Sequence, residues 1–205
     1  ATLAAVQKAP RVSNALRLAV MAMVLGVSRM NRYVPGHWSV QNRVLAGTYY
    51  VPQLATEVNI GPQLNSKVQV VAAANQALSD MRLGPVIVQR GSSAVVDLPA
   101  EGIDYVFTDP AYVDKVQYGE LNFVWESWLG FSADWLSDEI VVNSVREKTV
   151  DAWEQSLRTV FSRVFKSLKP GRWLSLCYHD TDAGTWSRLQ QLLLDTGFEV
   201  HTVTV

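Results

Sequence analysis

Apolar positions recur along the chain with two different periods. Leu16, Val20, Met23, Val24 and Val27 follow i, i+4, i+7, i+8 and i+11, which predicts an amphipathic helix from Ser13 to Met30 with Ser13 or Asn14 as its N-cap. The period then lapses. Pro35, Gly36, Gly47, Pro52, Gly61 and Pro62 punctuate residues 31–62, an irregular segment with short elements at best. From Ser66 the helical period returns through Val68, Val71, Ala72, Leu78 and Met81, and closes near Gly84. Pro85 follows, and Val86-Ile87-Val88 reads as a short buried strand. Asp104 to Thr108 reads as a second strand. Trp153, Leu157, Val160, Phe161, Val164 and Leu168 define a strong helix, ended by Lys169-Pro170-Gly171. Trp173 to Tyr178 is a third strand. Thr181 or Asp182 suits the cap of a helix running to Leu194, with Gly197 as its C′ stop. Phe198 to Val205 alternates like a fourth strand at a sheet edge.

From residue 66 the order is helix, strand, strand, long insertion, helix, strand, helix, strand. Such alternation predicts an α/β fold with a mostly parallel sheet and helices on both faces. Residues 1–62 stand apart as a helix and an irregular segment, with 63–205 as the α/β region. No internal repeat or low-complexity tract is present. Chemistry in open α/β sheets sits at the carboxyl ends of strands. The places to inspect are therefore those just after Val88, Thr108 and Tyr178.

Composition narrows the function classes. Apolar residues make up 48% and charged residues 18%, with seven Trp, seven Tyr and six Phe, a globular balance with material for a core. The single Cys177 excludes an intramolecular disulfide and any multi-Cys zinc site. Within its strand it is expected to be a buried small hydrophobe. Three scattered His residues (His37, His179, His201) speak against a His-rich metal centre. The longest apolar run, Leu18 to Val27, is ten residues, about half of what a bilayer crossing needs. Arg17 directly precedes it and no secretory signal is visible, so no membrane partner is expected. No Ser-His-Asp order or phosphate loop is apparent. The chain opens on Ala1 rather than Met, as a processed product or a fragment would.

The net charge of −1 conceals a division. Residues 1–56 contain Lys8, Arg11, Arg17, Arg29, Arg32 and Arg43 and no acid, leaving twelve basic against nineteen acidic residues from Glu57 onward. A one-sign segment of this kind is either a solvated face or a phosphate-facing surface. Tyr33, Trp38, Tyr49 and Tyr50 are interleaved with its later charges, a mixture suited to nucleic acid.

The second strand runs into Thr108-Asp109-Pro110-Ala111-Tyr112. This resembles the Asp/Asn/Ser-Pro-Pro-aromatic motif of S-adenosylmethionine-dependent amino DNA methyltransferases. The surroundings extend the resemblance. Val86 to Ser93 with Asp97-Leu98-Pro99 is similar to the family's third strand and loop. Asp114 to Leu121 is similar to a branch of bacterial DNA methylases in which an aromatic stretch follows, here Phe123, Trp125, Trp128 and Leu129. Leu168 to Trp173, Cys177-Tyr178-His179, Trp186 and Gly197-Phe198 complete it, so that residues 86–201 carry the likeness and 13–60 share it loosely. The resemblance implies a Rossmann-like methyltransferase sheet lacking its first strands, a cytoplasmic enzyme, S-adenosylmethionine as cofactor and DNA as partner, as in restriction-modification. An exocyclic amine is a weak nucleophile, because its lone pair is delocalised into the base. Two acceptors on its N–H groups draw the nitrogen toward sp³ and aim that lone pair. The resemblance assigns these acceptors to the Asp109 side chain and the Pro110 carbonyl, and the stacking of a flipped base to Tyr112. It offers Asp114, Tyr118 and His179 for the substrate pocket and Ser92 with Asp109 for the cofactor. Arg29, Arg32 and Arg43 are the candidates for contacts to the DNA backbone.

The chain departs from the family pattern at three points. Ala111 replaces the motif's second Pro, so the turn loses one rigid ring while both acceptors remain. The Gly-rich turn that holds the cofactor's methionine part is missing, and so is the strand-end acid for its ribose. Ser92 stands where relatives often have an Asp. Other readings of single residues stay open. Asp109 suits a turn or cap, Tyr112 and the tryptophans suit packing, Asp114, Tyr118 and Glu120 suit anchoring of the insertion, and His179 suits a structural role. At the level of function, two alternatives accompany DNA methylation. One is a degenerate or truncated methylase that binds nucleic acid or a partner without catalysis. The other is a methyltransferase of the same fold acting on RNA or on protein glutamine.

Overall fold

The computed structural model describes residues 13–35, 44, 49–79, 81, 84–89, 91–180 and 182–203. Among them five α-helices and a two-stranded parallel sheet make a mixed α/β structure. The chain falls into two compact units, residues 1–87 with 121–133, and residues 88–120 with 134–205.

In the first unit α1 spans Ser13–Met21 and α2 spans Ile60–Ser79. The helix expected to reach Met30 is regular only to Met21, and turns continue it. Gly26 weakens the helical backbone there, and the Ser28 hydroxyl donates back to the Leu25 carbonyl at 2.8 Å. The apolar face survives the irregularity, since Ala19, Val20, Met23 and Val24 are all buried. Buried Asn31 ends this stretch by donating to the carbonyls of Gly26 (2.8 Å) and Thr56 (3.3 Å), beside a single antiparallel bridge between Arg32 and Ala55. Helix α2 begins six residues before its apolar period does. Pro62 is no obstacle, because first-turn N–H groups have no intrahelical partner, and the Asn59 side chain accepts from the Gly61 N–H at 3.1 Å. None of its twenty residues is buried. Helix α3 (Tyr118–Leu129) adds residues 121–129 to this unit, where the Trp125 indole donates to the Met21 carbonyl at 3.0 Å.

The second unit holds β1 (Ile103–Thr108), α4 (Val150–Ser167), β2 (Leu168–Leu176) and α5 (Ala183–Asp195). The spacing 153, 157, 161 and 164 puts one row of α4 inward, and Thr185, Leu189 and Leu192 do the same for α5. Trp153, Leu157, Phe161, Leu189 and Leu192 join Val113 in one core, with Leu174 and Leu176 of β2 packed on it. The helix ends follow local chemistry. Thr149 caps α4 by accepting from Ala152 N–H. Asp182 caps α5, accepting from the N–H groups of Gly184 and Thr185 and from the Thr185 hydroxyl. Thr181, the other candidate cap, lies outside the described residues. Gly197, at φ +105°, closes α5 with the Phe198 N–H on the Leu193 carbonyl and its own N–H on the Leu194 carbonyl.

The sheet differs from expectation in four ways. β2 begins at Leu168, which pairs with Ile103. The next paired residues are Tyr105 and Trp173, so Lys169-Pro170-Gly171 bulges out of the ladder rather than preceding it. Gly171 takes φ +71° there, and Pro170 has no N–H to give to a ladder. Val86-Ile87-Val88 forms no strand, and its side chains are 75–92% exposed. A short apolar run takes up strand geometry beside a partner ladder, and the described residues offer it none. Phe198 turns into the core, edge-on to Phe165 with ring centroids 5.1 Å apart, and residues 199–203 run exposed without pairing. Cys177 lies just beyond β2 and is exposed rather than buried. No described helix is long and apolar enough to cross a membrane.

Candidate active site

β1 and β2 run parallel, so their carboxyl ends lie side by side. The last rung is the Cys177 N–H on the Thr108 carbonyl at 2.9 Å. Immediately beyond it the chain turns back on itself. The Tyr112 hydroxyl donates to Asp109 Oδ1 at 2.6 Å, a short charge-assisted bond across three residues. Val113 then adopts φ 52°, the left-handed region that a β-branched residue rarely enters, at a cost of about 1–2 kcal/mol. Burial keeps it there. Val113 is 8% exposed in the core beneath α4 and α5, its N–H donates to the Ala111 carbonyl, and its carbonyl accepts from the Val142 N–H at 2.9 Å.

Aromatic rings continue from Tyr112. Its ring meets Tyr178 edge to face at 5.3 Å, and Tyr178 stacks on Trp186 of α5 at 5.8 Å and 21°. The hydrogen bond to Asp109, with burial second, pushes the Tyr112 phenol up to about 12, so it is a donor at neutral pH. Burial, and after it the nearby Asp180 carboxylate, pushes the Tyr178 phenol up as well, and its hydroxyl donates to Asp180 at 3.3 Å. Tyr112, Tyr178, His179 and Trp186 line an open groove of about 1670 Å³ that runs along β2 to residues 197–203. Its volume exceeds that of an ordinary small-molecule pocket, about 300–1,000 Å³.

The segment after the motif is held by a polar hub. Arg146 donates to Gln117 Oε1 at 2.7 Å, to Glu139 Oε2 at 2.8 Å and to the Leu136 carbonyl at 3.2 Å. Asn143 donates to both Gln117 and Glu120, and Gln117 donates to the Val142 carbonyl at 2.9 Å. Glu139 Oε1 accepts from the Gly119 N–H at 2.8 Å. A Cβ on Gly119 would collide with the Leu136 side-chain tip, so a larger residue there makes Leu136 move. Burial first, then the neighbouring Arg146, lowers the Lys148 ammonium from its usual range, and it donates to the carbonyls of Ser137 and Glu139.

The residues singled out from sequence sort clearly. Asp109 and Tyr112 are bonded together, with half-buried Pro110 between them. Tyr118 is half-exposed, and Asp114 is exposed with its carbonyl receiving the Gln117 amide at 3.5 Å. Glu120 anchors the insertion through Asn143. His179 is exposed in the groove. Ser92 closes a turn of its own, its hydroxyl accepting from Ala94 N–H and its carbonyl from the N–H groups of Val95 and Val96. Arg29 is exposed and Arg32 half-buried in the first unit, and Arg43 lies outside the described residues. Gln117, Glu139, Arg146 and the strained Val113 carry the site without having been singled out. Tyr178 and Trp186 had a readable signal, an aromatic at a strand end and another eight residues on at the start of a helix. A positive φ at a valine has none.

Among the described residues no group of three His, Cys, Asp or Glu side chains is placed to hold a metal ion. For a cofactor of the S-adenosylmethionine type the resemblance offers only Ser92, engaged in its own turn, and Asp109, bonded to Tyr112. The described residues offer no glycine turn for its amino-acid end, so they do not fit the whole molecule. Comparison of the chain with protein-family models, curated proteins and solved structures gave no match.

Proposed function

We propose that the α/β region belongs to an S-adenosylmethionine-dependent methyltransferase of Rossmann-like architecture that modifies the N6 of adenine or the N4 of cytosine in DNA. The carrying observation is the position of Asp109-Pro110 directly beyond the last rung between β1 and β2, with an aromatic group beside it. A methyl donor of this type supplies an electrophilic methyl group on a sulfonium. The chain's own residues act on the amine. With Oδ1 engaged by Tyr112, Asp109 Oδ2 accepts one N–H and the Pro110 carbonyl accepts the other, which turns the nitrogen lone pair out of conjugation. In such a transfer the N–C bond would form as the donor's S–C bond breaks and a neutral thioether leaves, and the Asp109 carboxylate would take the surplus proton from the nitrogen. The Tyr112 ring stacks on the amine's base, with Tyr178 behind it. Arg29, Arg32 and Arg43 supply contacts to phosphates.

The reading is tested by isothermal titration of the 205-residue chain with S-adenosylmethionine, followed by product analysis on DNA, RNA and peptide. Micromolar binding and N6- or N4-methylated base support it, and product on RNA or glutamine redirects it. A second reading is favoured by a different observation. Tyr105, Phe107 and Trp173 leave one sheet face more than half-exposed, and Val86 to Val88 are barer still. Such surfaces suit a methylase-like protein that binds nucleic acid or a partner without catalysis. Absence of cofactor binding, with DNA binding retained, is its signature.

A further inference from the structure

We infer that Tyr112 is a clamp on the Asp109 carboxylate, and that Tyr178 and Trp186 are positioning residues that hold the clamp. The inference rests on the reading of Asp109 as the amine acceptor, and extends it to how that acceptor is aimed. Asp109 is exposed at the end of a strand, where a free carboxylate rotates about two torsions. The 2.6 Å bond from the Tyr112 hydroxyl fixes one oxygen and leaves the lone pairs of the other for a substrate N–H. The clamp is itself fixed from behind. Tyr178 meets the Tyr112 ring edge to face and stacks on Trp186. Trp186 lies in the first turn of α5, next to the buried Thr185 and one turn before the buried Leu189. On the other side Val113, locked in the core with φ 52°, fixes the direction in which the chain leaves Tyr112. A rigid line therefore runs from the core through three rings to the carboxylate. Tyr112 then serves through its hydroxyl as well as its ring, a role distinct from base stacking. Its elevated phenol keeps the donor protonated at neutral pH and well above it.

The test is an NMR titration of the full chain carrying ¹³Cζ-tyrosine, with Tyr112 assigned by Tyr112→Phe. In the wild type Tyr112 should keep its proton up to about pH 12. Asp109→Asn should move its ionisation back toward the ordinary value of about 10, roughly a hundredfold change in the ionisation constant. Tyr178→Ala should move it the same way, and Tyr178→Phe should restore it, because the ring rather than the hydroxyl positions the clamp. Fluorinated tyrosine, which ionises at lower pH, gives the same comparison under conditions where alkaline unfolding does not intervene. Tyr112 titrating with the ordinary tyrosines, or unmoved by Asp109→Asn, overturns the clamp. In methyl transfer, Tyr112→Phe should lower kcat roughly tenfold or more at nearly unchanged KM for DNA, whereas Tyr112→Ala should also raise KM. A Phe variant with full kcat overturns the positioning role. If neither the chain nor a longer protein containing it transfers methyl groups, the reading of Asp109 as an amine acceptor fails, and the titration still decides the clamp.

Discussion

The two faces of the sheet in the second unit are built from the same two strands and have opposite fates. Leu174 and Leu176 pack on the core formed by Val113, α4 and α5. Tyr105, Phe107 and Trp173 alternate with them in register and remain 53–64% exposed, with His201 edge-on to Trp173 at 5.2 Å. Parallel sheets are ordinarily covered on both faces. Here the covered face does more than stabilise. It carries the support of the candidate site, since Val113 belongs to its core and Trp186 sits on its helix. The comparison teaches that, among the described residues, the support behind Asp109 comes from the covered face.

The largest expected effect breaks the covered face. Phe161→Ala removes a fully buried ring and should destabilise the second unit by about 3–5 kcal/mol, and Leu189→Ala by about 2–5 kcal/mol, read as a fall in the urea midpoint. Phe107→Ser and Trp173→Ser on the open face should stay within about 0.5 kcal/mol. A drop there as large as in the core would erase the contrast. Next comes Arg146→Ala, which strands the side chain of Glu139, only 8% exposed, and should lower stability by about 2 kcal/mol. Val113 gives a sharper test. Val113→Gly relieves the left-handed backbone while Val113→Ala does not, so Gly should equal or exceed Ala in stability, the reverse of the usual order. Thr149→Ala should cost about 1 kcal/mol as a lost cap of α4.

The smallest effect is in pH. Hydrogen bonds from Thr185 and then Gly184 hold the Asp182 carboxyl below its usual range. Its contribution to the α5 cap is therefore complete above the unfolded value near 4 and disappears as pH falls through the lower folded value. Asp182→Asn should flatten the acid limb of a Tm-against-pH curve without changing its neutral plateau much.

Much of the covered face was legible in the sequence. The four-residue rows of Trp153, Leu157 and Phe161, the Asp182 cap and the Gly197 stop each have a local cause, and the structure contains them. Asp104 to Thr108 was readable as a strand because it finds its ladder in β2. Val86 to Val88 has the same kind of composition and no ladder, which no local pattern reveals. Phe198 to Val203 alternates as an edge strand does, yet one residue, Phe198, goes to the core and the rest stay unpaired. At the candidate site the closeness of Asp109 and Tyr112 had a local cause, since a turn directly after a strand brings residues three apart together. The hub of Arg146, Gln117 and Glu139 was not legible, since it joins residues up to 29 positions apart through side-chain geometry.

Asp109 stands at the centre of the account, and one assay addresses it directly. Methyl transfer from labelled S-adenosylmethionine to DNA is measured with the chain, or with a longer protein containing it, and with its Asp109→Ala variant. The account predicts N6- or N4-methylated base from the wild type and background label from a folded variant. A folded Asp109→Ala protein that methylates DNA at the wild-type rate would contradict it.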